Sequence, residues 1–488
     1  MEPLAYLLTQ GGDERITVDP ETGTNRYFAT PYPRDTIAYA SSTANDISRD
    51  AWRYLRSRWP QVTKDSTVNG VEYAHELERI RTELRAAYQL GNDNQVIFAA
   101  SGTDLEYIAL LVAAGADRAP VHNILLGADE VGSGCIYSAQ GQYFAAQTSL
   151  GLPSRKGDVV EGLPPVTMSE IPVRDADGLA HDSATMTVAM RKAVETALAR
   201  GEKPVLHVVH GSKTGLILPV LDDVDALRAD YGECIAFVVD ACQARITTAA
   251  LKAYLERDML VLLTGSKFMG GPPFNGFAVV PPLLMAKAAP MPQGYARIFH
   301  RAEWPTAWPG RDILPDSGNL GLVLRLSASL FELTRFQQLA MADIMRMVGI
   351  FQKATGSLID RIEGHRILAY APHHQLDAIT HPIEMQTLVT FDLNGGPDDH
   401  DNARIDFAAA TVIHQGMMRR GVRLGQPVRC RKIAKGGHAG TLRIGLSMPQ
   451  MVRLATLDDA AIAAQLEADM DAIAGAYYTT RAAPMAAQ

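Results

Sequence analysis

The chain has 488 residues, 47% of them hydrophobic and 20% charged, with a formal net charge of -8. That length can bury a large core divided between two unequal lobes, and the acidic balance argues against nucleic acid or an anionic membrane surface as a partner. Cys135, Cys234, Cys242 and Cys430 have neither CxxC spacing nor a histidine-rich neighbourhood, so neither a zinc or other metal site nor a disulfide framework is expected, and a reduced cytoplasm fits best.

The first residues carry Glu2 where an export signal would be basic, their apolar run is short, and no later segment is long enough to span a bilayer. Neither export nor membrane insertion is therefore predicted. Residues 1 to about 38 are rich in turn formers. Asp46 to Trp59 and Tyr73 to Leu90 read as helices, the second with an apolar stripe of Leu77, Ile80, Leu84 and Ala87. A strand, Gln95 to Ala100, then feeds Ser101-Gly102-Thr103 and the apolar run Tyr107 to Ala114. A small, hydroxyl-bearing turn at a helix start is either an ordinary cap or an anion cradle, because its free N–H groups and the helix dipole both favour negative charge.

Asn123 to Ala128 reads as another strand, and the Pro/Gly/Asp-rich stretch from Leu150 to about Ala180 as a long surface excursion. Ser183 to Arg200 is an Ala-rich helix, and Val205 to Val209 a strand ending at His210-Gly211-Ser212-Lys213-Thr214-Gly215. That turn lacks the GxxxxGK[ST] spacing of a nucleotide-binding loop. His207 and His210 read as packing or rim histidines rather than metal ligands. Leu221 to Tyr231 is a helix, Phe237 to Asp240 a strand, and Val261 to Thr264 a strand leading into Lys267, a Gly/Pro-rich bend from Gly270 to Gly276, and a further apolar run, Phe277 to Val280. Strands alternating with helices from about 95 to 280 predict a mainly parallel sheet covered on both faces. Ser101, Ser212, Asp240 and Lys267 all fall at strand ends, where such sheets carry their sites.

A Pro/Trp-rich connector, Pro290 to Pro315, precedes Asp316-Ser317-Gly318-Asn319-Leu320-Gly321, which opens a long helix through Leu330. From about Ile344 the pattern becomes helix and short strands: Gly364 to Tyr370, Gln386 to Leu393, Gly421 to Val428 and Thr441 to Leu446. A helix from Leu457 to Tyr478 follows, with Ile462, Leu466, Met470 and Ile473 facing the core.

Asp240 lies about 27 residues upstream of Lys267, and each taken alone reads as a helix cap and a surface lysine. Together, a strand-end acid and a strand-end lysine in one sheet suit a pyridoxal 5'-phosphate (PLP) site. The lysine there forms the Schiff base and the acid keeps the pyridine nitrogen protonated.

The stretches HGSKTGLILPV (His210 to Val220), FVVDACQARI (Phe237 to Ile246) and TGSKFMGGPPFNGFAVV (Thr264 to Val280) resemble, in order and spacing, blocks of fold-type-I PLP enzymes of the aspartate aminotransferase superfamily. The resemblance is to class V, which holds alanine–glyoxylate and serine–pyruvate aminotransferases and the cysteine desulfurases. Its blocks fall between about residue 40 and residue 447. It implies an α/β fold: a large domain with a mainly parallel, seven-stranded-type sheet between helices, and a smaller α+β C-terminal domain. The division it implies is an N-terminal segment, 1–60, at the active-site mouth, a PLP-binding domain, 61–343, and a small domain, 344–488.

The same resemblance implies Ser101, Gly102 and Thr103 as the phosphate loop, with Ser266 also on the phosphate. Ser212 is placed toward the cofactor's phenolic oxygen or the reacting bonds, and Gln243 as donor to O3′. Ser317 and Asn319, in an SGT-like motif, reach the phosphate of a neighbouring subunit, which implies a homodimer with shared sites. Ile37 to Ala44 crosses the site mouth, with Ser42 near substrate, and Arg443 grips the substrate α-carboxylate. Glu130 and Val131 stand where many relatives carry a ring-stacking histidine or aromatic. The implied activity is amino-group transfer on an amino acid or related amine. A C–S or other β-eliminating lyase is the alternative; a desulfurase lacks a well-placed cysteine, and a PLP-fold binding protein without catalysis comes from a different class.

Overall fold

The computed structural model describes residues 1–40, 44–128, 130–132, 134–367, 384, 386–395, 404–433 and 436–482. The strands in chain order are β1 (Ile37–Tyr39), β2 (Gln95–Ala99), β3 (Val121–Leu126), β4 (Val166–Ile171), β5 (Lys203–His210), β6 (Ile217–Leu218), β7 (Ala236–Ala241), β8 (Leu260–Thr264), β9 (Gly276–Val280), β10 (His365–Ile367), β11 (Leu388–Asp392), β12 (Val422–Leu424) and β13 (Thr441–Gly445). The central sheet runs β2-β9-β8-β7-β5-β3-β4, with β6 paired to β5. From β8 to β4 neighbouring strands are parallel, and β9 is antiparallel to both β8 and β2. β2 therefore points the same way as β8, and the carboxyl ends of β2, β8, β7 and β5 open at one edge.

Alternate residues along these strands go to opposite faces, as a pleated strand requires. Val238, Leu260 and Leu262 join one buried cluster, which also takes Leu105, Ile108 and Leu111 of α4. Phe237, Val239, Val261 and Leu263 join the other, with Met186, Met190, Val224 and Leu251 from helices on the far side. The central strands are buried on both faces and read as near-continuous apolar runs for that reason.

The helices are α1 (Pro3–Leu8), α2 (Arg49–Arg58), α3 (Gly70–Ala87), α4 (Leu105–Ala114), α5 (Cys135–Ser138), α6 (Ser183–Ala199), α7 (Leu221–Tyr231), α8 (Thr248–Leu255), α9 (Pro282–Ala286), α10 (Leu320–Phe336), α11 (Met341–Arg361), α12 (Phe407–Arg419), α13 (Met448–Leu454) and α14 (Asp459–Ala482). α3 starts three residues before Tyr73 because Asn69 and Glu72 form a reciprocal capping box. Ile462, Leu466, Met470 and Ile473 of α14 are buried, as their spacing predicts.

Two expectations change. The Leu150 to Ala180 stretch is not wholly a surface excursion, since Val166–Ile171 pairs in parallel with β3 and forms the sheet edge. Its half-exposed pattern, with polar Thr167 and Ser169 bonded to His122, hides it among turn formers. The Gly421 to Val428 run supplies only Val422–Leu424, and this strand pairs with β1 rather than with the small antiparallel sheet β10-β11-β13. Part of the expected Gly364 to Tyr370 strand lies outside the described residues.

Candidate active site

One cavity opens at the shared carboxyl edge, and Ser101, Gly102, Thr103, Ser212, Asp240, Gln243, Ser266, Lys267 and Arg443 all line it. Lys267 follows β8, and its backbone is held by Asn45, whose Nδ2 donates to the carbonyls of Ser266 at 3.1 Å and Lys267 at 2.7 Å. Gly265 N donates to Asn275 Oδ1 at 2.9 Å, so the turn that presents the lysine is tied to the start of β9. Asp240 is the penultimate residue of the neighbouring strand β7 and accepts from Cys242 N at 2.9 Å. Gln243 is buried, and its Oε1 has no hydrogen-bond partner among the described residues.

Ser101 Oγ donates to Asp104 Oδ2 at 2.6 Å ahead of α4. Burial pushes the Asp104 carboxyl up to about 7, and the charge of Asp13 adds to that. Ser212 is turned toward a buried acid: its Oγ donates to Glu130 Oε2 at 2.7 Å, and Glu130 also accepts from Thr214 N and from Arg174 Nε at 3.0 and 3.1 Å. Burial alone would raise the Glu130 carboxyl, yet Arg174 and the two hydroxyls outweigh it and hold it below the ordinary value. Glu130 is thus a structural anion under the site, not a substitute for a stacking ring.

Arg443 comes from β13 of the small sheet. Its Nε donates to the Gln426 carbonyl at 2.7 Å and Nη1 to the Lys213 carbonyl at 3.1 Å, which fixes the guanidinium plane at the cavity wall. Burial lowers its pKa to about 10, leaving it cationic at neutral pH. Lys213, beside it, is drawn down to about 8 by burial and by the Arg443 charge.

Ser317 and Asn319 do not line this cavity. Ser317 Oγ hydrogen-bonds His300 Nδ1 at 3.0 Å, and Asn319 caps α10 and donates to the Gly11 carbonyl at 2.9 Å. Ser42 lies outside the described residues. Arg15, Tyr27, Glu106, Lys213, Phe274 and Gln426 line the cavity without having been singled out as site residues. Glu106 carried a readable signal, a lone carboxylate in a helix whose every residue is buried. Arg15 carried none, because it meets Ser101 and Thr103 across 86 and 88 residues of chain. Among the described residues no group of His, Cys, Asp or Glu is arranged to hold a metal ion, and no helix is long and apolar enough to cross a membrane.

No family model and no curated protein matches the sequence. Solved structures do. The cystine C–S lyase C-DES aligns at a TM-score of 0.53 and 15% identity over 90% of this chain and 98% of its own. The cysteine desulfurase CsdA from Escherichia coli aligns at 0.53 and 14% identity, covering 91% and 94%. The alanine–glyoxylate aminotransferase from Nostoc sp. aligns at 0.53 and 13% identity, covering 92% and 96%. The chain has the fold of the type I PLP-dependent enzymes. The fold therefore spans nearly the whole chain, and the cavity lies at the carboxyl ends of its parallel strands.

Proposed function

We propose that this protein is a PLP-dependent enzyme that carries its cofactor on Lys267 and transfers the amino group of an amino acid or related primary amine. The observation that carries the proposal is the meeting of Lys267 and Asp240, from adjacent parallel strands, with Arg443 and the Ser101–Thr103 turn in one cavity. These residues fit the cofactor. The turn before α4 offers N–H groups and hydroxyls to a phosphate, the buried Gln243 brings to the cavity an amide whose NH2 can donate to O3′ and whose Oε1 has no partner among the described residues, and Asp240 is a carboxylate for a pyridinium nitrogen.

When bound, PLP supplies an electron-withdrawing ring that weakens the bonds at the substrate Cα. Asp240 holds the proton on the ring nitrogen. Arg443 binds the substrate carboxylate through its planar fork and so orients Cα. Lys267 Nζ, when free, takes the Cα proton as base and returns it as acid. The ring-facing position of Ser212, the phosphate contact of Ser266 and a subunit-bridging role for Ser317 and Asn319 in a homodimer remain part of this proposal, the last checked by sedimentation velocity.

The cysteines favour transfer over desulfuration. Burial pushes the thiols of Cys135 and Cys430 up to about 12 and that of Cys242 well above its ordinary value, and Cys234 does not line the cavity. A thiol held protonated is a poor nucleophile.

The test is the absorbance spectrum of purified protein beside Lys267→Ala, before and after a panel of amino acids. Wild type should show the visible band of bound PLP and the variant should lack it. An amino acid should bleach the band and a keto acid restore it. Release of ammonia with a keto acid would instead assign a lyase, unchanged spectra and no turnover a binding protein, and a wild type that gains no band with added PLP would sink the proposal.

A further inference from the structure

A cation enters the site from the far N-terminal part of the chain. Arg15 Nε and Nη2 donate to Asp13 Oδ1 and Oδ2, each at 2.7 Å, a two-pronged pair that fixes the plane of the guanidinium. That plane lies against two rings, with Cζ 4.8 Å from the centroid of Phe144 and 5.3 Å from that of Phe274. Its remaining edge reaches the turn before α4: Nη1 donates to Thr103 Oγ1 at 3.3 Å and Nη2 to Ser101 Oγ at 3.4 Å. The Arg15 side chain is only 14% exposed and lines the same cavity as Lys267.

The segment carrying Arg15 is anchored to the large domain. Arg325, buried in α10, donates to the carbonyls of Leu8, Gln10 and Gly11 at 3.0, 2.6 and 2.9 Å. Asn319 Nδ2 adds its bond to the Gly11 carbonyl. A segment held by four hydrogen bonds at three carbonyls delivers a pre-oriented guanidinium, which loses little rotamer freedom when it binds an anion.

Two further facts point to a polar ligand. Gln243, buried in the lining of this cavity, has its Oε1 without a hydrogen-bond partner among the described residues, which calls for a donor on a bound molecule. The two acids near the turn are both engaged: Asp104, its carboxyl raised to about 7, by Ser101 Oγ, and Asp13 by the Arg15 guanidinium.

We propose that Arg15 is a phosphate-binding residue, completing from within its own chain the anion cradle formed by Ser101, Gly102 and Thr103. This rests on the PLP reading of the cavity and assigns the cofactor's phosphate to that end. Through its bond to the Gly11 carbonyl, Asn319 also anchors the segment that holds Arg15, whatever it meets across a subunit boundary.

The experiment titrates apoprotein with PLP and with pyridoxal, the same aldehyde without its phosphate, following the visible band in wild type and Arg15→Met. Loss of a charge-assisted bond to phosphate should weaken PLP binding roughly 10- to 100-fold in the variant, while pyridoxal binding changes less than about threefold. Inorganic phosphate should compete with PLP, and not with pyridoxal, for wild type; this arm stands even if Arg15→Met does not fold. An unchanged ratio of PLP to pyridoxal affinity in the variant, or no competition by phosphate, overturns the proposal while leaving the PLP reading intact. A raised KM for the amino acid with an unchanged ratio overturns it too, by moving Arg15 to the substrate carboxylate. Wild type that binds neither aldehyde overturns both.

Discussion

Glu106 Oε2 lies 3.7 Å from His207 Nε2, and neither atom has a hydrogen-bond partner among the described residues. His207 pairs in register with Val238, so it and Asp240, two residues further along β7, share the sheet face on which α4 packs. Burial raises the Glu106 carboxyl well above its ordinary value, with the charge of Asp240 adding to it, and lowers the His207 imidazole to about 4. Burial thus favours the uncharged form of each. In the proposed reading Asp240 is the residue that meets the cofactor's ring nitrogen, and Glu106 and His207 are buried on its side of the sheet.

That arrangement predicts a pH-dependent stability. The folded state keeps the Glu106 proton that the unfolded chain releases above its ordinary pKa of 4.5. Stability should therefore fall as pH rises from there toward the raised folded value, by up to about 1.4 kcal/mol per pH unit. Glu106→Gln removes the titration. Urea midpoints of the two proteins should agree near the acid end and separate at higher pH, with the variant the more stable. A variant less stable than wild type at neutral pH would mean that Glu106 is ionised and paired with a charged His207.

Arg443 is predicted to act on substrate alone. Its guanidinium is held by the Gln426 and Lys213 carbonyls, so replacement removes a fixed cation from the cavity wall. Arg443→Ala should raise the KM for an amino acid by the cost of losing a buried charge pair, about 2–5 kcal/mol or roughly 30- to 4,000-fold. The visible band of bound PLP should persist. Simultaneous loss of that band would show that Arg443 supports the cofactor, not the substrate.

Most of this site was legible because its residues sit where strands end. The runs Phe237 to Val239 and Val261 to Leu263 are apolar along their whole length, as strands buried on both faces must be, and the first polar residues after them, Asp240 and Thr264, fall at the carboxyl edge of the sheet. Helix caps were less visible, and α3 begins where Asn69 and Glu72 close a box that apolar periodicity cannot see. What stayed hidden was tertiary. The bonds of Ser317 to His300 and of Asn319 to Gly11 join segments far apart in the chain and leave no mark on the sequence pattern. Arg15 reads as one more charge in a turn-rich segment until Arg325 and Asn319 bring it across the sheet edge.

The acid beneath Ser212 supplies a third prediction. Glu130 and Arg174 have side chains 5% and 6% exposed, so removing the arginine alone strands a buried carboxylate. Arg174→Met should cost about 3–5 kcal/mol. The double variant with Glu130→Gln should recover much of this, because the stranded charge is then gone. The depressed Glu130 pKa gives the opposite pH sign to Glu106: its contribution is complete above the ordinary value of 4.5 and is lost as pH falls through the lower folded value. Glu130→Gln should accordingly flatten the acid limb of the stability curve. Additive effects of the two single changes would show that the pair is not coupled.

The close approach of the anion turn to β8 gives the last prediction. A Cβ on Gly102 would meet Thr264 Cγ2 at 2.8 Å, nearer than any ordinary contact, and Thr264 is pinned by the bond from its Oγ1 to the Cys242 carbonyl at 2.6 Å. Neither partner can yield cheaply, so Gly102→Ala should push the turn outward and cost about 1–3 kcal/mol. The displaced turn carries Ser101 and Thr103 with it, and PLP affinity should fall while pyridoxal affinity stays near that of wild type. Thr264→Ser deletes the obstructing methyl and keeps the hydroxyl that bonds Cys242. If crowding is the cause, the double variant Gly102→Ala/Thr264→Ser regains both stability and PLP affinity. A double variant as weak as Gly102→Ala would place the requirement for glycine in the turn itself, in the backbone N–H groups that a methyl would shield from the phosphate.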